Sequence, residues 1–257
     1  MNDEETLQSS IEQKSGRHSN PQELLEILHD TAARLQNNAK YKQCIKVLTQ
    51  ALSLEIEVFG QDSNKAKESA TKLIKMCNKL AVKMLKIGRF EDCIEFIGNA
   101  LSLTGPRYLP NLISLRIVTL NNASSCHRRL GDMEKALSYA QDALNAGLKG
   151  EKDDSLACSH LNICCVYSQN GDHEEALRHS MDALAAANNS VRNNKNQGDG
   201  GESLLNVELD VNDPQRKQKL ATLCIAYHNT GVELEHLKRY EECLEKLVIS
   251  KLKCYYC

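Results

Sequence analysis

Eleven cysteines and eight histidines come first, because thiolates and imidazoles bind metals and act as nucleophiles or bases. The densest set is Cys158, His160, Cys164 and Cys165. On one helix His160 and Cys164 share a face while Cys158 and Cys165 share another, so closing a four-ligand zinc site needs a second element. Cys254 and Cys257 form a CxxC with no second such pair. Neither a metal nor a cofactor is expected. The paired acids Glu241 and Glu242 follow a turn, where carboxylates stabilise a helix N-terminus. Gly198, Gly200 and Gly201 lack the Lys-Ser/Thr of a phosphate loop. No nucleophile stands with a base, and the sequence points away from an enzyme.

The strongest charge pattern is a row of lysines, Lys72, Lys75, Lys79, Lys83 and Lys86. At ~100° per residue they fall within roughly an 80° sector of one helix. No acidic residue interrupts 69–90, which predicts a stripe without a partner in its own helix. Such a stripe suits an acidic peptide or acidic protein surface. The competing reading is a solvated face, or pairing with acids of a neighbouring element. Nucleic acid is not expected. No aromatics interleave with the basic residues, and 32 Lys+Arg against 34 Asp+Glu give a net charge of -2.

The elements that position these residues follow from composition and periodicity. In 257 residues there are only 4 prolines, 4% aromatics and no Trp, which argues against many short strands with proline turns. No apolar run approaches the ~20 residues of a membrane span, so no membrane partner is expected. The polar start MNDEETLQSS lacks an apolar signal segment, and the expected location is cytoplasmic, with cytoskeletal or ciliary variants. An odd cysteine count without an export signal reads as reduced thiols.

Five segments share one register: NNAKYKQCIKVLTQAL, KIGRFEDCIEFIGNAL, RRLGDMEKALSYAQDAL, SQNGDHEEALRHSMDAL and HLKRYEECLEKLVISK. Each has a turn slot, at Ala39, Gly88, Gly131, Gly171 and Lys238. Small residues follow at Cys44, Cys93, Ala136, Ala176 and Cys243, and again at Ala51, Ala100, Ala143, Ala183 and Ser250. Upstream of the turns stand Ala32, Ala81, Ser124, Cys164 and Gly231. Small residues at fixed heights on successive helices let two backbones approach, and large apolar neighbours then interlock around the contact. The pattern predicts antiparallel helix pairs, each stacked on the next.

This pattern resembles the tetratricopeptide repeat, most fully in AYHNTGVELEHLKRYEECL, and covers roughly residues 21–250. The resemblance implies an all-α, right-handed superhelical array of about five antiparallel helix pairs. Every interval between turn slots exceeds the ~34 residues of the standard repeat, which is similar to the longer repeats of kinesin light chain-type adaptors. The resemblance also implies that the first helix of each pair lines a concave groove. Lys75, Lys79, Lys86, Arg128 and Arg129 would then face or rim it, with Asn78, Asn121 and Ser125 adding hydrogen bonds. Clamping of a chaperone C-terminus is disfavoured, because the first helix offers His29 and Ala33 in place of Lys and Asn.

The expected organisation is a disordered polar tail over 1–20, helix pairs one to four over 21–188, a flexible Asn/Gly-rich loop over 189–213, and a fifth pair with a short tail over 214–257. Asn20-Pro21 and Asp213-Pro214 read as helix starts, with a cap followed by proline at the first helical position. The last helix carries Leu244, Leu247 and Val248 as an expected docking face. Function reads as a non-enzymatic scaffold binding a partner peptide or helix in its groove. The alternative is a structural subunit of a large cytoskeletal or ciliary assembly, docked through that last face.

Overall fold

The computed structural model describes residues 20–105, 112–149, 155–193 and 213–254. Among the described residues there are ten helices and no strand: α1 (Pro21–Asn37), α2 (Tyr41–Phe59), α3 (Asn64–Lys86), α4 (Phe90–Leu103), α5 (Ile113–Arg129), α6 (Met133–Lys149), α7 (Ser155–Gln169), α8 (His173–Asn193), α9 (Pro214–His236) and α10 (Tyr240–Cys254). Both proline starts are realised. The Asn20 side chain accepts from the Gln22 amide at 3.2 Å, and the Asp213 side chain from the Gln215 amide at 2.9 Å. Helix α8 continues to Asn193, into the stretch expected to be loop. The rest of that stretch lies outside the described residues, as do the 1–19 tail, Pro106, Pro110 and Cys257.

The five turn slots close five hairpins in one way. Ala39, Gly88, Gly131, Gly171 and Lys238 all have positive φ, between 56° and 82°. The residue after each slot donates its amide back to the carbonyl of Leu35, Met84, His127, Tyr167 or Leu234, at 2.8–3.0 Å. The slot residue itself donates to Gln36, Leu85, Arg128, Ser168 or Glu235. This double closure satisfies the last carbonyls of the first helix and reverses the chain into the second.

The small slots are where the register places them, since all of those named above are buried. Ala81, Ala100, Ala136, Ala143, Ala176 and Ala183 have no exposure at all.

By its packing the chain divides into two units, Met1–Leu80 with Gly98–Leu112, and Ala81–Ile97 with Ile113–Cys257. In the first, Leu25, Leu28, Ala32 and Leu35 of α1 pack on Cys44, Val47 and Ala51 of α2, with Met76 of α3 against them. The Cys44 thiol donates to the Ala32 carbonyl at 3.3 Å, so a cysteine in the small slot ties the two helices together.

In the second unit the pairs α5–α6, α7–α8 and α9–α10 stack in sequence. Helix α6 packs on α7 and α8 on α9, and the first helices also meet, α5 with α7 and α7 with α9. Leu161, Ala183 and Ala226 form one core layer, and Leu177, Leu234 and Cys243 another. Gly231 supplies the closest approach. A Cβ there would stand 2.6 Å from Leu247 Cδ2, so the missing methyl is what admits the leucine.

Candidate functional site

The lysine row lies on α3, one uninterrupted helix, so its spacing is set by that helix alone. Lys72, Lys75, Lys79, Lys83 and Lys86 are all exposed. The expectation that the row lacks a partner on its own helix needs one correction. Helix α3 begins at Asn64 and so includes Glu68, which pairs with Lys72 at 2.7 Å one turn away. Lys75, Lys79 and Lys86 have no ion partner among the described residues. Asn78, on the same helix, is buried and only 7% exposed.

The polar residues expected beside the lysines are held by the next first helix. Asn121 Nδ2 donates to Ser159 Oγ at 3.0 Å, and Asn162 Nδ2 donates to Asn121 Oδ1 at 3.0 Å. Ser125 Oγ donates to Asn162 Oδ1 at 3.2 Å. These bonds join α5 to α7. An equivalent bond recurs one pair later, where Asn229 of α9 donates to Cys165 Sγ of α7 at 3.8 Å. Ser159, Asn162 and Asn229 escaped the sequence reading. The signal was present, because Asn122, Asn162 and Asn229 stand at one height before their turn slots, the height Lys79 occupies on α3. Arg129 is exposed and its Nη1 donates to the Leu85 carbonyl at 3.0 Å, while Arg128 is half-buried. His29, weighed above as a clamp position, instead meets the buried carboxylate of Glu55 at 3.2 Å.

On α10 the expected docking face needs revision. Leu247 turns inward over Gly231 and packs with Leu177, Leu234 and Cys243. The exposed apolar stripe is instead Tyr240, Leu244, Val248 and Leu252, spaced by four so that they share one side of the helix.

The cysteines behave as small apolar groups. Cys44, Cys77, Cys93, Cys126, Cys164, Cys224 and Cys243 are buried thiols. Burial pushes the Cys77 and Cys93 thiols up to about 12, so neither is a thiolate near neutrality. His160 does acquire a ligand-like neighbourhood, but from α8 rather than from cysteines of its own helix.

Compared with known proteins, residues 115–189 match the tetratricopeptide repeat model. That span runs from α5 through α8, where the hairpin closures and small slots are most regular. Over residues 115–189 the chain thus carries tetratricopeptide repeats. Its fold is similar to the crystal structure of BtubC (BKLC) from P. vanneervenii, at 19% identity and TM-score 0.55, covering 90% of this chain and 80% of that one. A putative kinesin light chain with nearly identical TPR-like repeats from Podosopora anserina aligns at 14% identity and TM-score 0.49, over 92% and 97% of the two chains. At 19% identity the likeness to BtubC is one of fold. No curated protein matches the chain in sequence. Among the described residues no helix is long and apolar enough to cross a membrane.

Proposed function

We propose that this chain is a non-enzymatic protein-interaction scaffold whose α3 lysine row receives an acidic peptide or acidic protein surface. The observation that carries the reading is the set Lys75, Lys79 and Lys86, exposed and without an ion partner among the described residues. Three ammonium groups on one helix face attract carboxylates at long range and set the register of a bound segment. Arg128 and Arg129 add basic character at the end of α5. Asn78, Asn121 and Ser125 serve this reading as positioning groups, because burial or inter-helix bonds already engage them.

The test is the triple variant Lys75→Glu, Lys79→Glu and Lys86→Glu. All three side chains are exposed, so helicity by circular dichroism should be unchanged. Capture of acidic partners from lysate, and binding of a labelled Glu/Asp-rich peptide, should fall at least ~10-fold if each lost pair contributes about 0.5–1 kcal/mol. Unchanged binding would remove α3 as the site.

A second reading rests on the stripe Tyr240, Leu244, Val248 and Leu252. A row of large exposed apolar side chains is the kind of surface that marks docking within an assembly. Leu244→Lys with Val248→Lys separates the readings, since it leaves α3 untouched. Loss of assembly with acidic-peptide binding retained would favour the α10 surface.

A further inference from the structure

Two positions in the fourth hairpin carry imidazoles at heights where the first two pairs are apolar. Measured from the turn slots, His160 stands at the height where α1, α3 and α5 place Leu28, Cys77 and Leu120, all buried. His179 stands where α2 and α4 place Val47 and Phe96, also buried. The fifth pair has Tyr227 and Lys246 at these heights. The third pair has Tyr139 at the second height, and only the α7–α8 pair sets an imidazole in both slots, so that two rings meet across one helix interface.

The rings meet nitrogen to nitrogen. His160 Nδ1 and His179 Nδ1 are 3.0 Å apart, and Asp182 Oδ2 lies 3.8 Å from His160 Nδ1. One ligand atom from each residue fits within 4.8 Å of the others. Arg178 only donates, so its 2.8 Å contact makes His179 Nε2 an acceptor. Neutral His179 then carries its proton on Nδ1 and donates it to His160 Nδ1. The Asp182 carboxylate faces the same nitrogen with no proton between them. One proton thus serves a place where three lone-pair atoms converge.

We propose that His160, His179 and Asp182 form a three-ligand site for a divalent first-row transition ion, tying α7 to α8. With metal–nitrogen bonds of ~2.0–2.1 Å, a 3.0 Å nitrogen separation subtends roughly 91–97° at the ion, and opening by a few tenths of an ångström reaches a tetrahedral angle. Asp182 is half-exposed, so its carboxylate can close the remaining gap while water fills the open positions. Two imidazoles with one carboxylate select zinc, nickel, cobalt or copper over magnesium and calcium.

Arg178 is held chiefly by Glu175, through contacts of 2.6 and 3.0 Å, and its Nη1 also lies 3.5 Å from Asp182 Oδ2, a pair that an incoming cation replaces. On binding, the His179 proton moves from Nδ1 to Nε2, with none lost overall, and Arg178 releases that nitrogen while keeping Glu175. Tyr167 stacks on His179 at 5.8 Å between centroids and fixes the ring plane.

The test uses the full chain with Cys254→Ser and Cys257→Ser, which removes the CxxC thiols as competing ligands. After chelator treatment and dialysis, zinc is titrated by calorimetry and cobalt by visible absorption. One ion per chain is expected, with a rise in melting temperature as zinc is added and no response to magnesium. Asp182→Asn and His160→Ala should each weaken zinc binding by at least ~10-fold. Both parent side chains are partly exposed, so these variants should keep their helicity. Cobalt absorption lost in both would support the site. No saturable binding, or equal binding in both variants, would overturn it and leave the imidazoles as a hydrogen-bonded pair.

Discussion

At the residue scale, buried sulfur serves packing. Six of the seven buried thiols, all but Cys126, occupy slots where other pairs put Ala, Ser, Gly or Leu, and a thiol is small and apolar enough to fit. Burial disfavours the thiolate, so reactivity should follow exposure. Iodoacetamide added to the native chain should modify partly exposed Cys158 well before Cys44, Cys77, Cys93 and Cys126, with peptide mass mapping as the readout. Equal rates at Cys77 and Cys158 would mean that the α1–α3 core opens far more readily than its packing implies. Glu55 is the counter-example to apolar burial. It is fully buried, and one of its carboxylate oxygens meets His29, itself partly exposed, at 3.2 Å.

At the scale of the helix and its turn, the repeat register was legible because backbone geometry leaves little choice. A helix that ends in a left-handed residue wants Gly, and three of the five slots have it. Ala39 and Lys238 hold the same conformation with a Cβ, at a cost of ~1 kcal/mol each. Ala39→Gly and Lys238→Gly should therefore each raise stability by up to ~1 kcal/mol, read as a shift in the denaturant midpoint, while Gly131→Ala should lower it by a similar amount.

What the sequence hid was direction and reach. Leu247 and Leu244 are both apolar in α10, and only the bare Gly231 opposite tells which of them turns inward. Glu68 lies just outside the acid-free stretch 69–90, in the opening turns of a helix that Ser63 caps by accepting from the Ala66 amide at 3.3 Å. The contact between His160 and His179 joins residues of two helices, and neither helix alone predicts it.

At the scale of the whole molecule, the basic row on α3 is an exposed surface of distinct charge. If the partner is acidic, its affinity depends on salt. Raising ionic strength toward ~1 M, where the Debye length falls to ~3 Å, should abolish most Glu/Asp-rich peptide binding while leaving helicity intact. Binding that persists unchanged would shift attention to the apolar side of α10.

The bonds between α5 and α7 have a mechanical corollary. Sliding one helix past the other by a single turn of ~5.4 Å would break Asn121–Ser159, Asn121–Asn162 and Ser125–Asn162 together. Apolar surfaces creep under load, whereas this joint is keyed. It holds its seating or lets go in one step, so a pull on α5 is passed to α7 instead of being absorbed between them.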